Sequence, residues 1–176
     1  MSRWTIDPDH SVAAFAVRHL RVADVRGQFN GITGTILYDP EDPSRSSVEA
    51  AIDVSIMTTG IRKRDDHLMS PDFFDAGGYP LITFRSTKIE ITGPGTAKIA
   101  ADLTIRGISH PVTMDAEFSG PVKSPFGGET TMGFFASAVI NRFDYNVRWN
   151  EVMEDGGFIV GKDVKITVDI EADLSA

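Results

Sequence analysis

The chain has 176 residues, 41% hydrophobic and 24% charged, which suits one domain with a full hydrophobic core and argues against disorder. Lys plus Arg number 17 against 25 Asp plus Glu, a formal charge of -8, and the densest basic run, Arg62-Lys63-Arg64, is followed at once by Asp65-Asp66. Nucleic acid is therefore not an expected partner, and the absence of cysteine excludes disulfides, thiolate catalysis and cysteine-ligated metal centres.

The opening residues MSRWTIDPDH lack a basic segment followed by an apolar stretch, so no signal peptide is expected. No apolar run approaches the roughly 20 residues that span a bilayer. The expectation is a soluble cytoplasmic protein without stable membrane insertion. Residues 10-20 and 24-38 read as strands, with a further short strand at Arg3 to Asp7. Gly27, Gly31 and Gly34 mark a bend or bulge in the second of these. Val48, Ala50, Ile52, Val54 and Ile56 then alternate with polar neighbours at period two. After Thr58-Thr59-Gly60, Ile61 to Ser70 has no internal Gly or Pro and stops before Pro71, which predicts a helix. Residues 81-92 form the next strand. Four alternating runs follow, built on Ala97-Ile105, Val112-Phe118, Met132-Ile140 and Val164-Ile170. Turn signals separate them at Asp39-Ser44, Gly93-Gly95, Gly107-Pro111, Ser124-Gly128 and Asp155-Gly157. No linker or repeat interrupts the chain, so residues 1-176 are read as a single domain.

Strands with one apolar and one wet face are antiparallel strands. About eight of them, strongly curved, predict an all-β antiparallel barrel with one inserted helix across an end. The inward faces carry many small residues: Ala14, Ala16, Ala50, Ala97, Ala101, Ala116, Ala136 and Ala138. These would leave a long apolar void unless large residues interdigitate, and alternation alone allows either outcome.

Catalytic and metal signatures are missing: there is no G-x-S-x-G, H-E-x-x-H, P-loop or Rossmann fingerprint. Of His10, His19, His67 and His110, no two lie at i and i+4 on the predicted helix. A metal would need tertiary convergence, and none is expected; nor is a cofactor. Arg64-Asp65 reads best as an anchor for the helix, and Phe73-Phe74 as a hydrophobic plug packing it onto the barrel. Arg142, followed by Phe143-Asp144-Tyr145, reads as a strand-end ion pair with an aromatic anchor.

WTIDPDHSVAAFAVRHL, VRGQFNGITG, IDVSIMTTG, RDDHLMSPDFFDAGGYP, LTIRGISHPV, INRFDYNVRWN and GKDVKITVDIEA occur in this order from Trp4 to Glu171. On these motifs the chain resembles the YceI-like family of bacterial lipid-binding proteins. The resemblance implies a lipocalin-like barrel with a central apolar tunnel for a polyisoprenoid, such as a prenyl diphosphate or isoprenoid quinone, or another long-chain lipid. It also implies frequent export to the periplasm among relatives, and dimers in some, which leaves a homodimer open here. The chain departs from the family in having Ile32 where a second aromatic is common and Asp144-Tyr145-Asn146 where Asp-Phe-Gly is usual.

The expected function is non-catalytic binding of such a lipid for sequestration or transfer. The expected binding residues are Phe15, Phe29, Ile52, Val54, Phe84, Leu103, Phe118 and Phe134, with Arg64 and His67 at the mouth. Phe15 and Phe84 rest partly on family position. The rival readings are an enzyme acting on an isoprenoid, with only His19, His67 and Asp65 to offer, and a stress-related interaction protein whose barrel is solidly packed.

Overall fold

The computed structural model describes residues 1-125 and 127-175. Eleven strands form one sheet: β1 (Ser2–Ile6), β2 (Val12–His19), β3 (Ala23–Asn30), β4 (Thr33–Tyr38), β5 (Ser47–Asp53), β6 (Met57–Thr58), β7 (Leu81–Gly93), β8 (Thr96–Ile105), β9 (Ile108–Lys123), β10 (Thr130–Asn141) and β11 (Val160–Leu174). The helix α1 spans Arg62–Met69. Three pairs of short strands are broken halves of longer ones. β1 and β2 lie end to end against β11, and they face β4 and β3 respectively. β5 and β6 continue the same pattern against β4 and β3. Counted this way the sheet is an eight-stranded up-and-down antiparallel barrel, closed where β11 pairs with β1 and β2. Closure removes the unpaired edges an open sheet would leave.

Parity along the strands decides which side chains enter the barrel. On β8, Ala97, Ile99, Ala101, Leu103 and Ile105 share one face, and four of them are at most 7% exposed (Ala97 5%, Ala101 1%, Leu103 7%, Ile105 7%). β7 explains its own poor alternation. Its pairing with β8 slips between Ser86 and Lys88, so the inward set changes from Ile82 and Phe84 to Ile89 and Ile91. The Ser86 hydroxyl accepts the Val48 N–H at 2.8 Å beside this bulge. On β2 the inward parity is Ala13, Phe15, Val17 and His19. Ala14 and Ala16, expected inside, stand opposite Gln28 and Thr167 and opposite Arg26 and Lys165, on the outer face.

Gly27 is required by packing. It pairs with Phe15, and a Cβ there would run into the Phe15 ring and the Thr59 methyl. The expected turn at Gly107-Pro111 shrinks to Arg106-Gly107, both at positive φ, and β9 begins at Ile108. Pro111 is tolerated opposite Asp102 because β10 joins β9 only from Asp115 onward, leaving one side of β9 without a ladder there. Part of the expected Ser124-Gly128 turn, Phe126, lies outside the described residues. Asn146 takes the left-handed conformation (φ 57°, ψ 25°) that a glycine would otherwise supply.

α1 ends as the sequence suggests, with the Ser70 N–H and hydroxyl both donating to the His67 carbonyl before Pro71. Its start is held by Asp65, whose carboxylate accepts the Thr59 N–H (2.8 Å), the Thr59 hydroxyl and the Thr58 hydroxyl (3.3 Å). Burial opposes ionisation of Asp65, but these donors and Arg64 outweigh it and hold the carboxyl below its ordinary value. Arg64 donates to the Thr59 hydroxyl at 2.7 Å and the Thr59 carbonyl at 3.0 Å. The pair anchors the helix to β6, as expected.

Candidate functional site

The barrel is hollow. Its inner faces enclose a cavity of about 450 Å³ walled mainly by aliphatic and aromatic side chains from every strand except β6. Small-molecule sites occupy roughly 300–1,000 Å³. The solidly packed interior that alternation alone left open is therefore not what forms. Ala50, Ala97, Ala116 and Ala136 line the space, and Ala136 stands directly opposite Ala116, so neither strand sends bulk inward at that level.

Of the residues proposed from the sequence, Phe15, Phe29, Ile52, Phe84, Leu103, Phe118, Phe134, Arg64 and His67 border the cavity. Val54 does not. β5 ends at Asp53, whose carboxylate accepts the Ser55 N–H (2.8 Å) and hydroxyl (2.7 Å) and starts a 3-10 turn over Val54–Ile56. The turn breaks the period-two pattern and buries Val54, 1% exposed, in the packed core instead.

Aromatic rings gather at the end that carries α1. Phe15 packs on Phe29 (5.8 Å between centroids), and Phe29 meets Phe74 edge-on at 5.6 Å. Phe73, Trp149 and His67 form a triangle with centroids 4.8 to 5.2 Å apart. Trp149 lies in a loop with no periodicity, so strand reasoning missed it; an isolated Trp among polar residues was the available signal. His67 Nε2 and Asp72 Oδ2 are 2.8 Å apart. Of the three residues considered for acid–base chemistry, His19 and His67 border the cavity, Asp65 is hydrogen-bonded to Thr58 and Thr59, and His67 lies against Asp72. Among the wall residues of the other end are Tyr38 and Phe118, whose rings lie 6.2 Å apart.

Arg142 corrects the expected ion pair. It is 5% exposed, and its partners are backbone carbonyls: Gly161 (2.8 Å), Val147 (2.7 Å), Trp149 (3.0 Å) and Val160 (3.2 Å). No carboxylate salt-bridges it among the described residues, and burial pushes its pKa down to about 10. The guanidinium thereby ties the Val147–Trp149 loop and the start of β11 to the end of β10, which places Trp149 over the cavity. Arg142 also stacks on Phe143, 4.8 Å from the ring centroid. Burial, then the nearby Asp144 charge, raises the Tyr145 phenol to about 12, so it stays neutral at the cavity wall.

No helix among the described residues is long and apolar enough to cross a membrane. A UPF0312 protein of Staphylococcus aureus is 35% identical to this chain over 175 residues, covering 99% of both. The crystal structure of Burkholderia cenocepacia BcnA is similar in fold, with a TM-score of 0.82 and 24% identity over 94% of this chain and 98% of that one. A structure described as a polyisoprenoid binding domain from Saccharophagus degradans matches with a TM-score of 0.69 and 12% identity, covering 99% and 100%. The YceI-like domain family matches residues 4–172, and the chain belongs to that family.

Proposed function

We propose that this chain, acting as a single domain, binds a long-chain apolar lipid in its barrel for sequestration or transfer, without transforming it. A polyisoprenoid, as prenyl diphosphate or isoprenoid quinone, is the ligand we favour. The hollow apolar interior is the observation that carries the reading. The polyisoprenoid-binding description of the similar Saccharophagus degradans domain supports the ligand class.

The physics sets what such a site must do. At about 0.3 kcal/mol per heavy atom, a chain gains roughly 6 kcal/mol on leaving water for about every 20 carbons enclosed. Most of that vanishes when the competitor is a bilayer, because hydrocarbon is as apolar as the cavity. Useful affinity therefore depends on walls already in place, so that binding costs little ordering. The closed ladder and the Arg142 clamp supply such walls. Arg64 and His67 border the cavity from α1 and serve as the polar rim.

Extraction of the purified protein with organic solvent, followed by mass spectrometry, tests the reading. One long-chain lipid per protein is the expected result. No extracted lipid, together with no uptake of an added prenyl alcohol or quinone, would refute it. Conversion of an added prenyl diphosphate into a new product would favour the enzymatic alternative.

A further inference from the structure

We propose that Asp7, His10 and Glu171 form a binding site for one divalent transition-metal ion of the zinc type on the outer wall of the barrel. The site is separate from the cavity and does not depend on its ligand. It lies where the barrel closes. β11 pairs with β1 through Ile6 opposite Ala172, then with β2 from Val12 opposite Asp169, and the corner of residues 7-11 bridges the gap. Glu171 stands at that gap. Its carbonyl accepts the Asp7 N–H at 2.9 Å and the Ser11 hydroxyl at 3.3 Å, and its own N–H donates back to the Ser11 hydroxyl at 3.1 Å. The backbones bearing the three side chains are thus fastened to one another, although Glu171 is 160 residues beyond Ser11 in the chain.

On this frame one ligand atom from each of the three residues comes within 4.8 Å of the other two. His10 Nδ1 and Asp7 Oδ2 are 2.7 Å apart, and Asp7 Oδ1 accepts the Asp9 N–H at 2.9 Å, which orients the carboxylate. The Glu171 carboxylate has no hydrogen bond or salt bridge to any described residue. Two carboxylates therefore converge on a single imidazole, with Asp9 adding negative charge beside them. A divalent cation neutralises that excess as one imidazole cannot.

One imidazole nitrogen and two carboxylate oxygens, with water in a fourth position, are a donor set that zinc accepts. The imidazole favours zinc, nickel or copper over magnesium and calcium. Bonds of about 2.0–2.2 Å place tetrahedral ligand atoms about 3.3 Å apart. The His10–Asp7 contact must open slightly and Glu171 must close in, movements available to half-buried and exposed side chains. The ion replaces the proton shared by His10 and Asp7. It would staple the corner between β1 and β2 to β11, and so stabilise the folded barrel by mass action.

The test uses the full chain without an affinity tag and zinc chloride alone, followed by calorimetric titration and thermal unfolding. The wild type is expected to bind one ion per chain and to melt higher with zinc. His10→Ala and Glu171→Gln are each expected to weaken binding at least about tenfold and to lose the zinc-dependent rise in melting temperature. Both positions lie on the outer surface, and circular dichroism checks that the variants fold. Undiminished binding in either variant, or no binding by the wild type at millimolar zinc, overturns the assignment.

Discussion

Replacing Phe134 with arginine puts a permanent charge inside the barrel while leaving the ladder intact. Phe134 is the inward residue of β10 opposite Phe118 on β9 and Ile170 on β11, and all three border the cavity. A guanidinium there has no carboxylate on the neighbouring inward positions. Transferring an ion into such surroundings carries an effective penalty of several kcal/mol even after relaxation. In the empty barrel, water entering the cavity relieves much of that cost, so the protein still folds. A bound lipid expels the water and must meet it. A penalty of about 3–5 kcal/mol falling on the complex raises Kd by about two to four orders of magnitude. Phe118→Arg should behave alike. Lys98→Glu is the control: Lys98 points outward and pairs with Asp115 at 2.6 Å, so its loss leaves the cavity unchanged. Native mass spectrometry of the copurified lipid measures occupancy in each protein, and Trp149 fluorescence reports ligand arrival at the cavity wall. Folded variants with the same lipid occupancy in all three proteins would refute the placement of the ligand.

Arg142→Met should cost about 3–5 kcal/mol in urea unfolding, because four carbonyls lose their donor in a buried place. A loss below about 1 kcal/mol would mean that water replaces the guanidinium freely. The lowered Asp65 pKa has a defined sign: its contribution to stability is present above the unfolded value near pH 4 and is lost as pH falls through the folded value. Asp65→Asn should therefore flatten the acid limb of a stability–pH curve, and an unchanged acid limb would contradict the anchoring role of this carboxylate. Gly27→Ala should destabilise by about 1–3 kcal/mol through collision with the Phe15 ring. A second substitution, Phe15→Leu, should recover part of the loss, and additive losses would argue against direct contact.

Strand identity and barrel closure were legible where alternation is unbroken. The apolar faces of β8, β9, β10 and β11 are read directly from residues 97-105, 112-118, 132-140 and 164-170, because burial on one side of an antiparallel sheet forces period two. α1 was legible from its flanking glycine and proline. Legibility failed wherever the backbone changes parity or direction: at the β7 bulge, at the Asp53 carboxylate that turns Val54 out of the wall, and on β2, where Ala14 and Ala16 face outward. Each depends on a contact with a neighbouring strand or a local capping bond, which composition does not encode. The hollow interior, the four carbonyls gathered by Arg142 and the meeting of Asp7 and His10 with Glu171 belong to the tertiary structure alone. They arise because closing the barrel sets positions far apart in the chain at fixed distances, and no local pattern carries that information.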